Sequence, residues 1–156
     1  MPVPVLRDFR PGDQPIFRQL NEEWISRYFT LEPADLKALD YPEEYILAPG
    51  GCILLAEVAG QVVGTCALIK MADGGYELAK MAVSPAAQGQ RIGYLLGQAA
   101  VQRVRELGGH RLYLESNSKL APALSLYRKL GFRDLAQHNP SPYARADVQM
   151  ELLLLP

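Results

Sequence analysis

Residues 52–83 hold three apolar, strand-like runs, at 52–58, 61–71 and 76–83, parted by turn residues at 59–61 and 72–75. Loops this short join antiparallel neighbours, so the stretch predicts a three-stranded meander. Directly after it the period changes. Ile92, Leu95, Leu96, Ala99, Ala100, Val104 and Leu107 recur at helical spacing, while Gln98, Gln102, Arg105 and Glu106 take the opposite face. A meander feeding an amphipathic helix needs that helix to cover one face of its sheet. Gly64, inside the second run, predicts a bulge or a close approach to that cover.

The flanks extend the pattern. Residues 3–9 read as a first strand, and RPGD at 10–13 is turn chemistry with Asp13 as a helix N-cap. Ile16, Phe17, Leu20 and Trp24 then follow at helical spacing, and a second short helix spans 33–39. Residues 42–49 show no clear pattern. Gly108 and Gly109 end the long helix, and 111–116 is a strand. Leu120, Ala123, Leu124, Tyr127 and Leu130 mark another helix, stopped by Gly131, with strands at 133–137 and 147–154. No repeat or linker interrupts this order, so residues 1–156 form one domain: a mixed sheet with helices on its faces.

Net charge is −1, from 16 Lys+Arg and 17 Asp+Glu, without the basic excess of nucleic-acid binders. No apolar run approaches the ~18 residues of a membrane span, and the N-terminus MPVPVLRDFRPGD has no apolar signal segment. Cys52 and Cys66 lie in apolar runs and read as buried thiols. The expectation is a cytoplasmic protein without nucleic-acid or membrane partners. No metal is expected, because the two His and two Cys lack ligand spacing.

The stretch SPAAQGQRIGYLLG, at 84–97, joins the last meander strand to the helix. A loop entering a helix exposes unpaired amides, and the dipole adds positive character, which together suit phosphate or pyrophosphate. Gly89 and Gly93 fit close backbone approach and unusual dihedrals. A Walker loop needs a Gly-Lys-Ser/Thr ending, absent here. A dinucleotide fingerprint needs G-x-G-x-x-G after an opening parallel strand, whereas this loop has G-x-x-x-G after a meander.

Gln88, Gly89, Gln90, Arg91, Ile92 and Gly93 resemble the signature of the GCN5-related N-acetyltransferases, with Arg91 where the first glycine of that signature usually stands. A second block, LYLESNSKLAPALSLYRKLGFR, resembles the family's later motif through Asn117, Tyr127, Gly131 and Phe132. The resemblance implies a mixed, mostly antiparallel seven-stranded sheet, splayed between its fourth and fifth strands and flanked by about four helices. It implies acetyl-CoA as co-substrate. The pyrophosphate would sit on the loop amides from Gln88, Gly89, Gln90, Arg91, Ile92 and Gly93 to Tyr94. The pantetheine arm would pair with the backbone of Met81, Ala82 and Val83, with Asn117 touching the same arm. An ordinary helical backbone at Arg91 would let its amide face the phosphate.

Tyr127 matches the family's tyrosine and is the candidate general acid, since a phenol with an ordinary pKa near ~10 keeps its proton at neutral pH. It would also touch the cofactor. Glu77, a carboxylate in an apolar strand, is the candidate base. Its other reading is an outward residue at a sheet edge. Strand alternation places Glu77, Ala79, Met81 and Val83 on one side. His110 reads as exposed, and His138 lies in a loop on the acceptor side. The acidic stretch from Glu22 to Glu44 attracts a cationic amine or is a solvated face, and Trp24, Tyr28, Phe29, Tyr41, Tyr45 and Tyr143 are candidates for an aromatic pocket. The expected activity is acetyl transfer to a primary amine on a small molecule or peptide. The rival is a non-catalytic acyl-CoA-binding sensor. The apolar end, Leu152 to Leu155, reads either as a homodimer edge or as a buried last strand.

Overall fold

The computed structural model describes residues 2–136 and 138–154. Seven strands, β1 (Val5–Asp8), β2 (Cys52–Val58), β3 (Gln61–Lys70), β4 (Tyr76–Val83), β5 (Arg111–Ser116), β6 (Arg133–Asp134) and β7 (Val148–Leu153), form one sheet in the order β1-β2-β3-β4-β5-β7-β6. Among the described residues four α-helices flank it: α1 (Gln14–Tyr28), α2 (Pro33–Asp40), α3 (Ile92–Glu106) and α4 (Ala121–Leu130). The meander is present, closed by a tight turn in which Ala59 and Gly60 both have positive φ. The patternless stretch forms a short π-helical turn at Glu43–Leu47.

Each sheet face has its own core. Leu96, Ala100 and Val104 of α3 are fully buried against Leu68, Leu112 and Met150. Phe17 and Leu39, from α1 and α2, cover Leu55 and Ala67 on the other face. Gly64 is the close approach anticipated from sequence: an added Cβ would lie 3.0 Å from Ile92 Cγ2 and 3.1 Å from Leu96 Cδ1.

Several elements differ from expectation. The first strand starts at Val5, and β6 is only two residues long, with Gln137 outside the described residues. Asp13 precedes α1, but its carboxylate serves Arg7 at 2.8 and 2.9 Å and the Arg10 amide at 2.7 Å, not the helix amides. Leu107 is 47% exposed, because α3 has already ended at Glu106. Leu154 is buried at the C-terminal end and Leu153 is exposed; Leu155 lies outside the described residues.

Two irregularities place the site. β4 and β5 run parallel yet pair only at Tyr76↔Leu112 and Glu77↔Tyr113, so the sheet parts beyond Glu77. Within β4 the register against β3 slips between Ala67↔Ala79 and Thr65↔Ala82. The extra residue is a β-bulge, with Lys80 at φ 51°. The bulge overturns the expected alternation. Met81 and Val83 join the α3-side core with Tyr76 and Leu78, whereas Lys80 reaches α2 on the opposite face.

Candidate active site

The gap between β4 and β5 has two ends. At the first, the chain turns through Pro85–Ala87 into α3. Gly89 has φ 86°, as its place in the loop requires. The first backbone bond entering the helix runs from the Leu95 amide to the Arg91 carbonyl, 3.0 Å. Among the described residues, the amides of Gly89 through Tyr94 have no backbone partner. They form a helix start suited to an anion. Arg91 and Lys129 border the depression that these residues line.

Arg91 does not keep an ordinary helical backbone. It is the N-cap of α3 at φ 61°, ψ 22°, the left-handed region. A turn that needs glycine's conformation has imposed it on a side chain that disfavours it, at a cost of roughly 1–2 kcal/mol. The guanidinium lies over the Tyr94 ring, 5.0 Å from its centre. Gly93 is helical, and its role is packing: a Cβ there would meet Leu126 Cδ2 of α4 at 3.3 Å.

Along the gap, the Ser84 amide donates to the Val63 carbonyl at 2.7 Å. Successive strand amides point to opposite sides, so the Val83 N–H faces away from β3 and toward the gap. The bulge upstream is anchored. The Thr65 hydroxyl donates to the Lys80 carbonyl at 2.9 Å, and Asn21 Nδ2 donates to Thr65 Oγ1 at 3.2 Å and to the Phe17 carbonyl at 2.9 Å.

At the second end is a cleft whose walls include Trp24, Phe29, Glu77, Lys80, Glu115 and Tyr127. Among the described residues no side-chain nitrogen or oxygen is both buried and unpaired. Glu77 and Tyr127 make no hydrogen bond to those residues, so their polar atoms open into the cleft. Burial, reinforced by the Glu115 charge and only partly offset by Lys80, pushes the Glu77 carboxyl up to about 7. Burial pushes the Tyr127 phenol up to about 12. The α4 terminus fixes Tyr127: Gly131 adopts φ 107°, and the Phe132 amide donates to the Tyr127 carbonyl at 3.0 Å. The Tyr127 and Phe132 rings meet edge to face, 6.1 Å apart.

Glu115 accepts from Tyr113 Oη at 2.6 Å and from Ser141 Oγ at 2.5 Å. Asn117 lines the cleft, with both ends of its amide engaged locally: Nδ2 donates to the Arg145 carbonyl at 2.6 Å, and Oδ1 accepts from the Lys119 amide at 2.8 Å. His110 and His138 are exposed.

Sequence reasoning missed the charged cluster behind this cleft. Asp35 is fully buried. It accepts from Lys80 Nζ at 2.7 Å and, through both oxygens, from Arg145 at 2.7 and 2.8 Å. Arg145 also donates to Glu32 at 3.1 Å, and Lys80 to Tyr143 Oη at 3.1 Å. Within the acidic stretch, then, Asp35 is neither a solvated residue nor a free anion. The available signal was Lys80 itself, a second charge in an otherwise apolar strand. Of the aromatic candidates, Trp24, Phe29 and Tyr143 line the cleft, whereas Tyr28, Tyr41 and Tyr45 are 44–60% exposed.

A mixed sheet parted between parallel strands, with a free-amide helix start at one end of the gap and ionisable groups at the other, defines an α/β domain with a cleft suited to an extended anionic ligand. A model of the acetyltransferase (GNAT) family matches residues 16–132. The IAA acetyltransferase of Azospirillum brasilense is 36% identical over 124 residues, covering 78% of this chain and 80% of that protein. A mycothiol acetyltransferase of Pseudarthrobacter chlorophenolicus is 32% identical over 136 residues, covering 81% of this chain but 42% of the relative. A protein of Salmonella typhimurium, solved with its cofactor acetyl-CoA, superposes with a TM-score of 0.77 at 20% identity, covering 99% of this chain and 95% of the other. The chain belongs to the acetyltransferase (GNAT) family. No helix among the described residues is long and apolar enough to cross a membrane.

Proposed function

We propose that the protein transfers an acetyl group from acetyl-CoA to a primary amine, with no covalent enzyme intermediate. One observation carries the reading. The β4–β5 gap joins the unpartnered amides at Gly89–Tyr94 to the cleft that holds Glu77 and Tyr127. The acetyl-CoA complex of the Salmonella structure supports the choice of donor. The loop amides, with Arg91 and Lys129 beside them, suit a pyrophosphate. The edge of β4 from Met81 to Val83 is free to pair with an extended arm, and Asn117 lies across from it.

Acetyl-CoA supplies the acyl group and a thiol leaving group. The Val83 N–H, fixed by the strand, is the donor for the oxygen on which charge develops. The Glu77 carboxylate takes a proton from the ammonium, directly or through one water, leaving a neutral nitrogen to form the C–N bond. Tyr127 Oη gives its proton to the sulfur, which takes the bonding electrons as the C–S bond breaks. The second proton, shed by the nitrogen as the amide forms, restores the Tyr127 phenol, and Glu77 passes its proton to solvent. Cys66 is fully buried against the sheet and takes no part.

Saturating acetyl-CoA should raise the melting temperature, and thiol should be released in the presence of amines. An unchanged melting temperature sinks the proposal. A raised one without thiol release across a broad amine panel would favour the sensor reading.

A further inference from the structure

The cleft wall carries two cations, Lys80 and Arg145, and two anions, Glu77 and Glu115. The two signs are not equally available. The Lys80 side chain is only 4% exposed, and its ammonium is bonded to Asp35 and Tyr143. Arg145 is bidentate to Asp35 and also pairs with Glu32. Asp35 and Glu32 therefore cancel both cations, and the donors that a carboxylate would seek are spent inside the wall. Tyr143 presents its ring to the same two groups, with Lys80 Nζ 4.8 Å and the Arg145 guanidinium 4.6 Å from its centre.

The anions have no such balance. Glu77 and Glu115 form no ion pair among the described residues. Glu115 accepts from two neutral hydroxyls, which hold the carboxylate without removing its charge. Among the residues that line the cleft, the uncompensated charge is negative. Beside it, Trp24 and Phe29 of the α1 end supply an apolar, aromatic wall.

Resting on the acetyl-transfer reading above, we infer that the acceptor is a small cationic primary amine with an aromatic or apolar body and no carboxylate beside the amine. An ammonium is drawn to the carboxylate pair while its body packs on Trp24 and Phe29. An α-amino acid brings a carboxylate into a wall whose cations are taken and whose free charges repel it.

The test is thiol release from acetyl-CoA with matched pairs: phenethylamine against phenylalanine, and tryptamine against tryptophan, with a short peptide bearing a free N-terminus and a lysine as a further arm. The amines should exceed their amino acids in kcat/KM by about tenfold or more. Glu32→Gln weakens the hold on one Arg145 donor at a partly exposed position. It should shrink that ratio by about threefold or more while leaving the acetyl-CoA melting shift intact. Amino acids matching or beating their amines overturn the inference, as does transfer to the peptide alone. So does a melting shift with no transfer to any compound, an outcome that leaves the cofactor reading standing. Loss of the melting shift removes both.

Discussion

Glu77 owes its chemistry to where β4 and β5 part. Its partner on β5 is Tyr113, the last paired residue before the gap, so the carboxylate sits at the fork with Glu115 nearby. Burial and that second negative charge hold it near 7, which suits a base working at neutral pH. A base must be deprotonated, so activity should fall on the acid side of about 7. In Glu77→Gln the acid limb of the kcat/KM profile should vanish, with turnover lowered by about a hundredfold; a retained limb would move the base elsewhere. Tyr127 has the opposite requirement. At about 12 its phenol stays protonated throughout the working range. Tyr127→Phe should keep the edge-to-face packing on Phe132 while lowering kcat by about tenfold to a thousandfold, with acetyl-CoA affinity little changed. Equal kcat in mutant and wild type would leave Tyr127 as a packing residue. Their candidacy rests on different signals in the sequence: Glu77 stands out as a carboxylate in an otherwise apolar strand, whereas Tyr127 matches the family's later motif, and its place on the helix's apolar line alone fits a packing residue.

At the scale of elements, β4 carries the information that periodicity could not supply. Strict alternation assigns Met81 and Val83 to the side of Glu77. One extra residue at Lys80 moves them to the other face and aims a lysine at α2. Nothing in YELAKMAV announces a bulge, since its cause lies elsewhere: Thr65 on β3 and Asn21 on α1 bind the displaced carbonyl and hydroxyl. The same holds for Asp35, whose partners are the bulged Lys80 of β4 and, across more than a hundred residues, Arg145 in the loop that also carries Tyr143. The loop glycine pattern was readable, but not the backbone at Arg91, because the departure from glycine gave no sign that the turn would keep glycine's geometry. Asp35→Ala leaves two partly or wholly buried cations without their shared anion. It should destabilise by about 3–5 kcal/mol, read as a lower urea midpoint. A loss under about 1 kcal/mol would mean that solvent or Glu32 replaces the contact.

For the molecule as a whole, two buried carboxylates pull stability in opposite directions with pH. Burial pushes Asp35 up, but its hydrogen bonds from Arg145 and the Lys80 charge outweigh that and leave it at about 2. Its folded pKa lies below the unfolded value of 3.8, so its contribution is full above that value and is lost as pH falls toward 2. Glu77 is the reverse case. Its folded pKa of about 7 lies above the unfolded 4.5, so the folded state holds a proton that the unfolded chain has released. That contribution is full below 4.5 and is lost as pH rises through 7. Tyr127 adds a further loss only above its ordinary value of 10. The melting temperature should therefore peak well on the acid side of neutrality, between about 4 and 5. Glu77→Gln should flatten the decline between pH 5 and 8, making the variant more stable than wild type at pH 8 but not at pH 5. This follows from the position of the carboxylate at the sheet fork and holds whatever the acceptor is. Parallel melting curves for the two proteins across that range would show that Glu77 ionises as it does in water, and would remove the physical basis for calling it the base.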